Sequence, residues 1–113
     1  MPVINAAGTL QRADDLASNF TGGSIVVLEG ATVLATHPIA SWATVNVGED
    51  AKATPSVSDV NASATGTADA VLMVNGGVEY DVTDSVTITQ PEYVAGQNAT
   101  VPSLEFVFNS VIA

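Results

Sequence analysis

From Ser24 onward the chain is written in short β-branched runs, each closed by a turn signal within a few residues. That punctuation limits the fold more than any single residue does, since it leaves no room for a second long helix. Ser24–Glu29 (SIVVLE) meets Gly30-Ala31, and Thr32–Thr36 resumes the run, which predicts a hairpin. His37-Pro38 is expected to break the second strand, because proline cannot donate to a ladder. Ser41–Val47 follows as a third strand, with Trp42, the lone tryptophan, as a core or edge anchor. Gly48–Gly66, rich in Ser, Ala and Thr, reads as a loop with one weak strand near Ser56–Val60.

The clearest hairpin joins Thr67–Val74 to Val78–Asp84 through Asn75-Gly76-Gly77, residues that take positive φ readily. On the return strand Val78, Tyr80 and Val82 point one way and Glu79, Asp81 and Thr83 the other. Ser85–Gln90 continues it or starts a new strand, Pro91 ends that run, and Tyr93–Asn98 reads as a turn or crossover. The last strand, Ser103–Asn109, sets Leu104, Phe106 and Phe108 on one face and Glu105, Val107 and Asn109 on the other. Its aromatic content predicts a central, core-facing strand, with Phe106→Ala costing about 3–5 kcal/mol.

The one credible helix spans Thr9–Phe20. Thr9 is its expected cap, Leu10, Ala13, Leu16, Ala17 and Phe20 line one side, and Thr21-Gly22-Gly23 stops it. These elements predict a single domain of 113 residues: an N-terminal arm (1–8), a helix (9–20) and an all-β antiparallel sandwich (24–109), jelly-roll or immunoglobulin-like.

Charge narrows the functional classes. Two basic residues, Arg12 and Lys52, stand against twelve carboxylates, a formal net charge of −10. Such a surface repels nucleic-acid phosphates and anionic lipid, so neither nucleic acid nor membrane is an expected partner. No apolar run reaches the length of a transmembrane helix, and the N-terminus lacks the pattern of a secretory signal. Without cysteine there is neither a disulfide nor a thiolate metal site.

Motifs for chemistry are absent. His37, the sole histidine, has no local nucleophile or orienting partner and reads as a residue at a strand end. Asp14-Asp15, Glu49-Asp50 and the Asp81/Asp84 pair lack the acidic glycine-bearing loop of a calcium site and read as solvated surface. Gly22-Gly23 and Gly76-Gly77 lack phosphate-loop spacing. The expectation is therefore a protein that is not an enzyme and carries no catalytic residue, metal or cofactor. Soluble monomers often blunt sheet edges with lysine. One lysine for a whole sandwich points instead to an assembly subunit, a homo-oligomer (dimer or trimer).

The order of the segments carries a resemblance. Phe20-Thr21-Gly22-Gly23-Ser24-Ile25, Val33-Leu34-Ala35-Thr36, Ala62-Ser63-Ala64-Thr65-Gly66-Thr67-Ala68 and Tyr93-Val94-Ala95-Gly96 before an aromatic last strand follow one another from about Leu10 to Asn109. This layout resembles the small head decoration (cement) proteins of tailed bacteriophages; the hairpin text Asn75-Gly76-Gly77-Val78 departs from it. The resemblance implies a virion structural protein on the outer surface of the capsid, with the major capsid protein as partner. Under it the arm, with Pro2, Val3 and Ile4, and the middle loop, with Pro55, are the capsid contacts, and Arg12 and Lys52 meet acidic capsid residues. Rival readings are another virion component (tail, neck or head-fibre protein) and a carbohydrate-binding module. The second would need exposed aromatics from a total of six.

Overall fold

The computed structural model describes residues 3–88 and 91–110. Among these residues one α-helix, α1 (Ala6–Asn19), precedes twelve strand segments. They are β1 (Ser24–Glu29), β2 (Thr32–Val47), β3 (Asp50–Val57), β4 (Val60–Asn61), β5 (Gly66–Thr67), β6 (Ala70–Asn75), β7 (Val78–Asp81), β8 (Val86–Thr87), β9 (Glu92–Tyr93), β10 (Asn98–Ala99), β11 (Ser103–Leu104) and β12 (Phe106–Phe108). A 3-10 turn, Thr83–Ser85, follows β7. Six strands form a curled antiparallel sheet in the order β12-β3-β2-β1-β6-β7. Three two-stranded ladders, β10-β4, β11-β8 and β5-β9, hold the remaining strand segments among the described residues. The fold is thus mostly β with one N-terminal helix, as expected.

The helix starts earlier than the sequence suggests. Asn5, not Thr9, is the cap: its side chain accepts from the Gly8 N–H at 2.9 Å. Asparagine ranks among the best N-caps, and Ala6-Ala7 then propagate the helix. Thr9 lies inside, fully buried, its hydroxyl donating to the Glu49 carbonyl at 2.5 Å. The expected arm shrinks accordingly, and Ile4 is tied down by its N–H donating to the Ser110 carbonyl at 2.6 Å. Of the expected apolar stripe, Ala13, Leu16, Ala17 and Phe20 are buried, while Leu10 is only partly covered.

His37-Pro38 does not break the second strand. β2 runs 16 residues straight through it, and at about 3.3 Å per residue such a strand reaches roughly 50 Å, close to the 47 Å long axis of the molecule. The Ile39 N–H donates to the Gly23 carbonyl at 2.9 Å, which makes Ser24↔Pro38 a non-hydrogen-bonded pair. The donor that proline lacks therefore points away from β1, toward β3, whose pairing has already ended at Val57↔Ile39. Just beyond, the register shifts between Ile39 and Ser41, leaving Ala40 as a bulge. Before it Ala35, His37 and Ile39 are buried; after it Trp42, Thr44 and Asn46 take the inward positions. Thr44 and Asn46 then reach α1, donating to Asp14 Oδ1 at 2.5 Å and to the Ala6 carbonyl at 2.8 Å.

The stretch expected to be a loop contains β3, which pairs with the second half of β2 and, on its other side, with β12. Ala51 and Ala53 are fully buried, as is Ala13 of the facing helix. Small side chains on both elements let α1 lie close to the sheet. Proline at position 55 is tolerated because β12 pairs only as far as Phe106↔Ala53.

The last strand is not central. β12 is an edge strand of the main sheet, and Phe106 and Phe108 are only half-buried. The core lies instead under β1, β6 and the first half of β2, where Phe20, Ile25, Val27, Leu34, Val71 and Met73 are completely enclosed. Tyr93, expected in a turn, is buried with them, its hydroxyl donating to the Thr100 carbonyl at 3.3 Å.

Candidate partner-binding surface

The residues singled out from sequence do not form one patch. Pro2 lies outside the described residues. Val3 is 68% exposed, while Ile4 is half-buried. Pro55 sits opposite Trp42 and lines a cavity of about 260 Å³ with Ile25, Thr54, Val57 and Leu104. Arg12 projects from α1 on the concave side of the sheet, its guanidinium 5.6 Å from the centre of the Phe108 ring. Lys52 lies on the opposite face, where it pairs with Glu105, Nζ to Oε1 3.4 Å. The two cations thus straddle β12 from opposite faces.

Register explains the outer face. Val45, Lys52 and Val107 stand side by side across β2, β3 and β12. Val45, Val47 and Val107 are 55%, 52% and 54% exposed. Val45 and Val47 on β2 and Val107 on β12 flank β3, whose Lys52 lies between Val45 and Val107 and pairs with Glu105. The outward position of Val107 is legible in the alternation of the last strand. Val45 and Val47 escape notice because their strand looks like a short, isolated run until the bulge at Ala40 is known.

The concave side holds a groove of about 370 Å³ lined by Arg12, Asp15, Leu16, Asn19, Tyr80, Phe106 and Phe108. Tyr80 belongs to β7 and the two phenylalanines to β12, so the curl of the sheet brings its two outer strands to the walls of one groove. Tyr80 packs edge-on against Phe20, ring centres 4.8 Å apart, and Phe106 lies 6.1 Å from Trp42.

The carboxylates have structural work. Asp59 accepts from the Val101 N–H at 2.9 Å and from the Asn98 amide at 3.4 Å. Asp69 accepts from Gly30, Glu29 from Thr67, and Asp50 from Ser110. Asp81 takes both the N–H and the hydroxyl of Thr83. Backbone donors therefore compensate many acids that no lysine or arginine faces. The Val101 hydrogen bond, helped by Asn98, holds the Asp59 carboxyl below its ordinary range, and the Thr83 hydroxyl and N–H do the same for Asp81. Burial pushes the Tyr93 phenol up. No group of three or more His, Asp or Glu side chains placed to hold a metal occurs among the described residues.

His37 is not at a strand end but inside β2, fully buried, with Nδ1 3.1 Å from the Ser58 carbonyl. That contact makes Nδ1 the protonated nitrogen and leaves Nε2 without a hydrogen-bond partner among the described residues. The Nδ1 hydrogen bond holds the Ser58 carbonyl against β2. Compared with known proteins, the chain matches no family model, no curated protein and no solved structure.

Proposed function

We propose that this is a non-enzymatic capsid decoration protein of a tailed bacteriophage, bound to the outer surface of the major capsid shell and stabilising it. The observation that carries the reading is the outer sheet face, where Val45 and Val47 of β2 and Val107 of β12 are exposed on either side of β3 in a chain with net charge −10. Apolar fields of this kind on an otherwise charged surface mark protein contacts. The same net charge opposes close approach to packaged DNA, which favours the outside of the shell. The face is small, so a single copy binds weakly; repeated copies across subunit boundaries supply avidity. In this reading the three short ladders form the second layer of a β-sandwich, since Ala62, Tyr93 and Ala99 at their strands are buried against the main sheet.

Immunogold labelling of intact virions tests the location. Gold distributed over the whole head supports decoration; gold confined to the tail or neck, or the protein's absence from particles, overturns it. A Val45→Asp/Val107→Asp double variant is expected to keep its stability and to lose about tenfold or more in affinity for empty shells. Co-sedimentation with those shells reads the loss.

A further inference from the structure

Sheet edges expose unpaired backbone donors and acceptors, and a chain must cover them, blunt them or use them. β12 is such an edge: β3 occupies one side, and no strand pairs with its other side among the described residues. Beside it lies the groove, with Leu16 and Tyr80 facing Phe106 and Phe108. Among the described residues Arg12 is the one basic side chain outside an ion pair. Lys52 has Glu105, but Arg12 has no ion-pair partner among the described residues and rests on the face of Phe108 instead. An open strand edge, an adjoining apolar pocket and an unneutralised guanidinium are together what a strand-adding ligand needs. Main-chain bonds supply affinity, the pocket takes every second side chain, and the charge selects among sequences.

We propose that an extended segment of a partner chain adds to β12 as a further strand, with an apolar side chain in the Leu16–Tyr80–Phe106–Phe108 pocket and a carboxylate on Arg12. This rests on the reading of the protein as a shell-binding module and names where the shell protein's segment docks. Charge favours a partner over a second copy, because edge-to-edge pairing of two copies brings two −10 bodies together. A segment carrying a single carboxylate meets Arg12 with far less repulsion. The neighbouring Asp15 also lines the groove, so a segment with several acids is disfavoured and one with a lone acid amid apolar residues fits best.

The test uses the full chain and three seven-residue peptides of alternating threonine and valine whose central residue is glutamate, glutamine or lysine. Amide chemical shifts are followed on titration to millimolar peptide. The glutamate peptide should shift the amides of Phe106, Val107 and Phe108. Replacing its glutamate by glutamine, or Arg12→Gln in the protein, should weaken binding about tenfold, the lower range for a partly exposed charge-assisted contact. Arg12→Glu should reverse the preference in favour of the lysine peptide. Arg12 is exposed, so these variants are expected to fold, and circular dichroism checks that they do. Unmoved Phe106–Phe108 amides, equal affinity for all three peptides, or protection of those amides by a dimer without peptide each overturn the proposal. Shell sedimentation separates it from the broader reading. If the wild type binds shells and Arg12→Glu binds them equally, the groove assignment falls and decoration stands. If the charge swap works on peptides but no protein sediments with shells, the groove stands and decoration falls.

Discussion

At the scale of single residues, the caps and buried aromatics set the stability. Asn5→Ala removes the acceptor for the Gly8 N–H and is expected to cost about 1 kcal/mol, whereas Thr9→Ser, which keeps the hydroxyl toward Glu49, should cost less. Phe20→Ala empties a fully enclosed site and should cost about 3–5 kcal/mol. Phe106→Ala acts on a half-buried edge position and should cost about 1–2 kcal/mol, partial burial plus loss of the Trp42 contact. Urea titration orders the four. If Phe106→Ala proved as damaging as Phe20→Ala, the placement of the last strand at the edge would be wrong. The pH dependence follows from Asp59 and Asp81, both held below the ordinary aspartate range by hydrogen bonds to the ionised form. A depressed folded-state value means that their stabilisation is full above the unfolded value near 4 and is lost as pH falls through the lower folded one. Thermal melts should therefore drop on acidification below about pH 4, and Asp59→Asn should flatten that decline; an unchanged acid limb would refute the assignment.

Elements were legible where one periodicity ran unbroken and illegible where it changed phase. The helix stripe from Ala13 to Phe20, the hairpin at Gly30-Ala31 and the β6–β7 turn at Gly76-Gly77 all follow from local spacing and turn chemistry. β2 was hidden because its inward set moves from odd to even positions at Ala40, so that 16 residues look like two strands around a proline break. β3 was hidden because its buried side chains are alanines, Ala51 and Ala53, which carry little hydrophobic signal and are poor in β propensity. Only the facing helix reveals why small residues belong there. The edge position of β12 was hidden for a third reason: aromatic content reports that a face is covered, not which neighbours a strand has. The candidate surface was legible in part. Arg12 and Lys52 stand out by rarity, but their placement on opposite faces of one strand, and the convergence of Tyr80 on Phe106 and Phe108, depend on the curl of the sheet.

For the whole molecule, the shortage of cations and the use of backbone N–H donors to hold carboxylates are two sides of one arrangement. Asp50, Asp59, Asp69, Asp81 and Glu29 each fasten a backbone N–H that would otherwise need water or a strand. Loops are thereby pinned without lysine or arginine, and the surface keeps its negative charge. That leaves Lys52 and Arg12 free to mark the sides of one edge strand, the outer one neutralised and the inner one not.

The length of β2 has a mechanical consequence. Its first half is laddered to β1 and its second half to β3, so a pull along its axis must slide both ladders at once and rupture their bonds together. A pull on residues 4 and 110, which the Ile4–Ser110 bond holds at one end of the body, instead peels bonds one after another. Gripped at the Ala31 and Glu49 turns, the molecule should behave as a tie-rod that resists stretching; gripped near its termini, it should open like a zip.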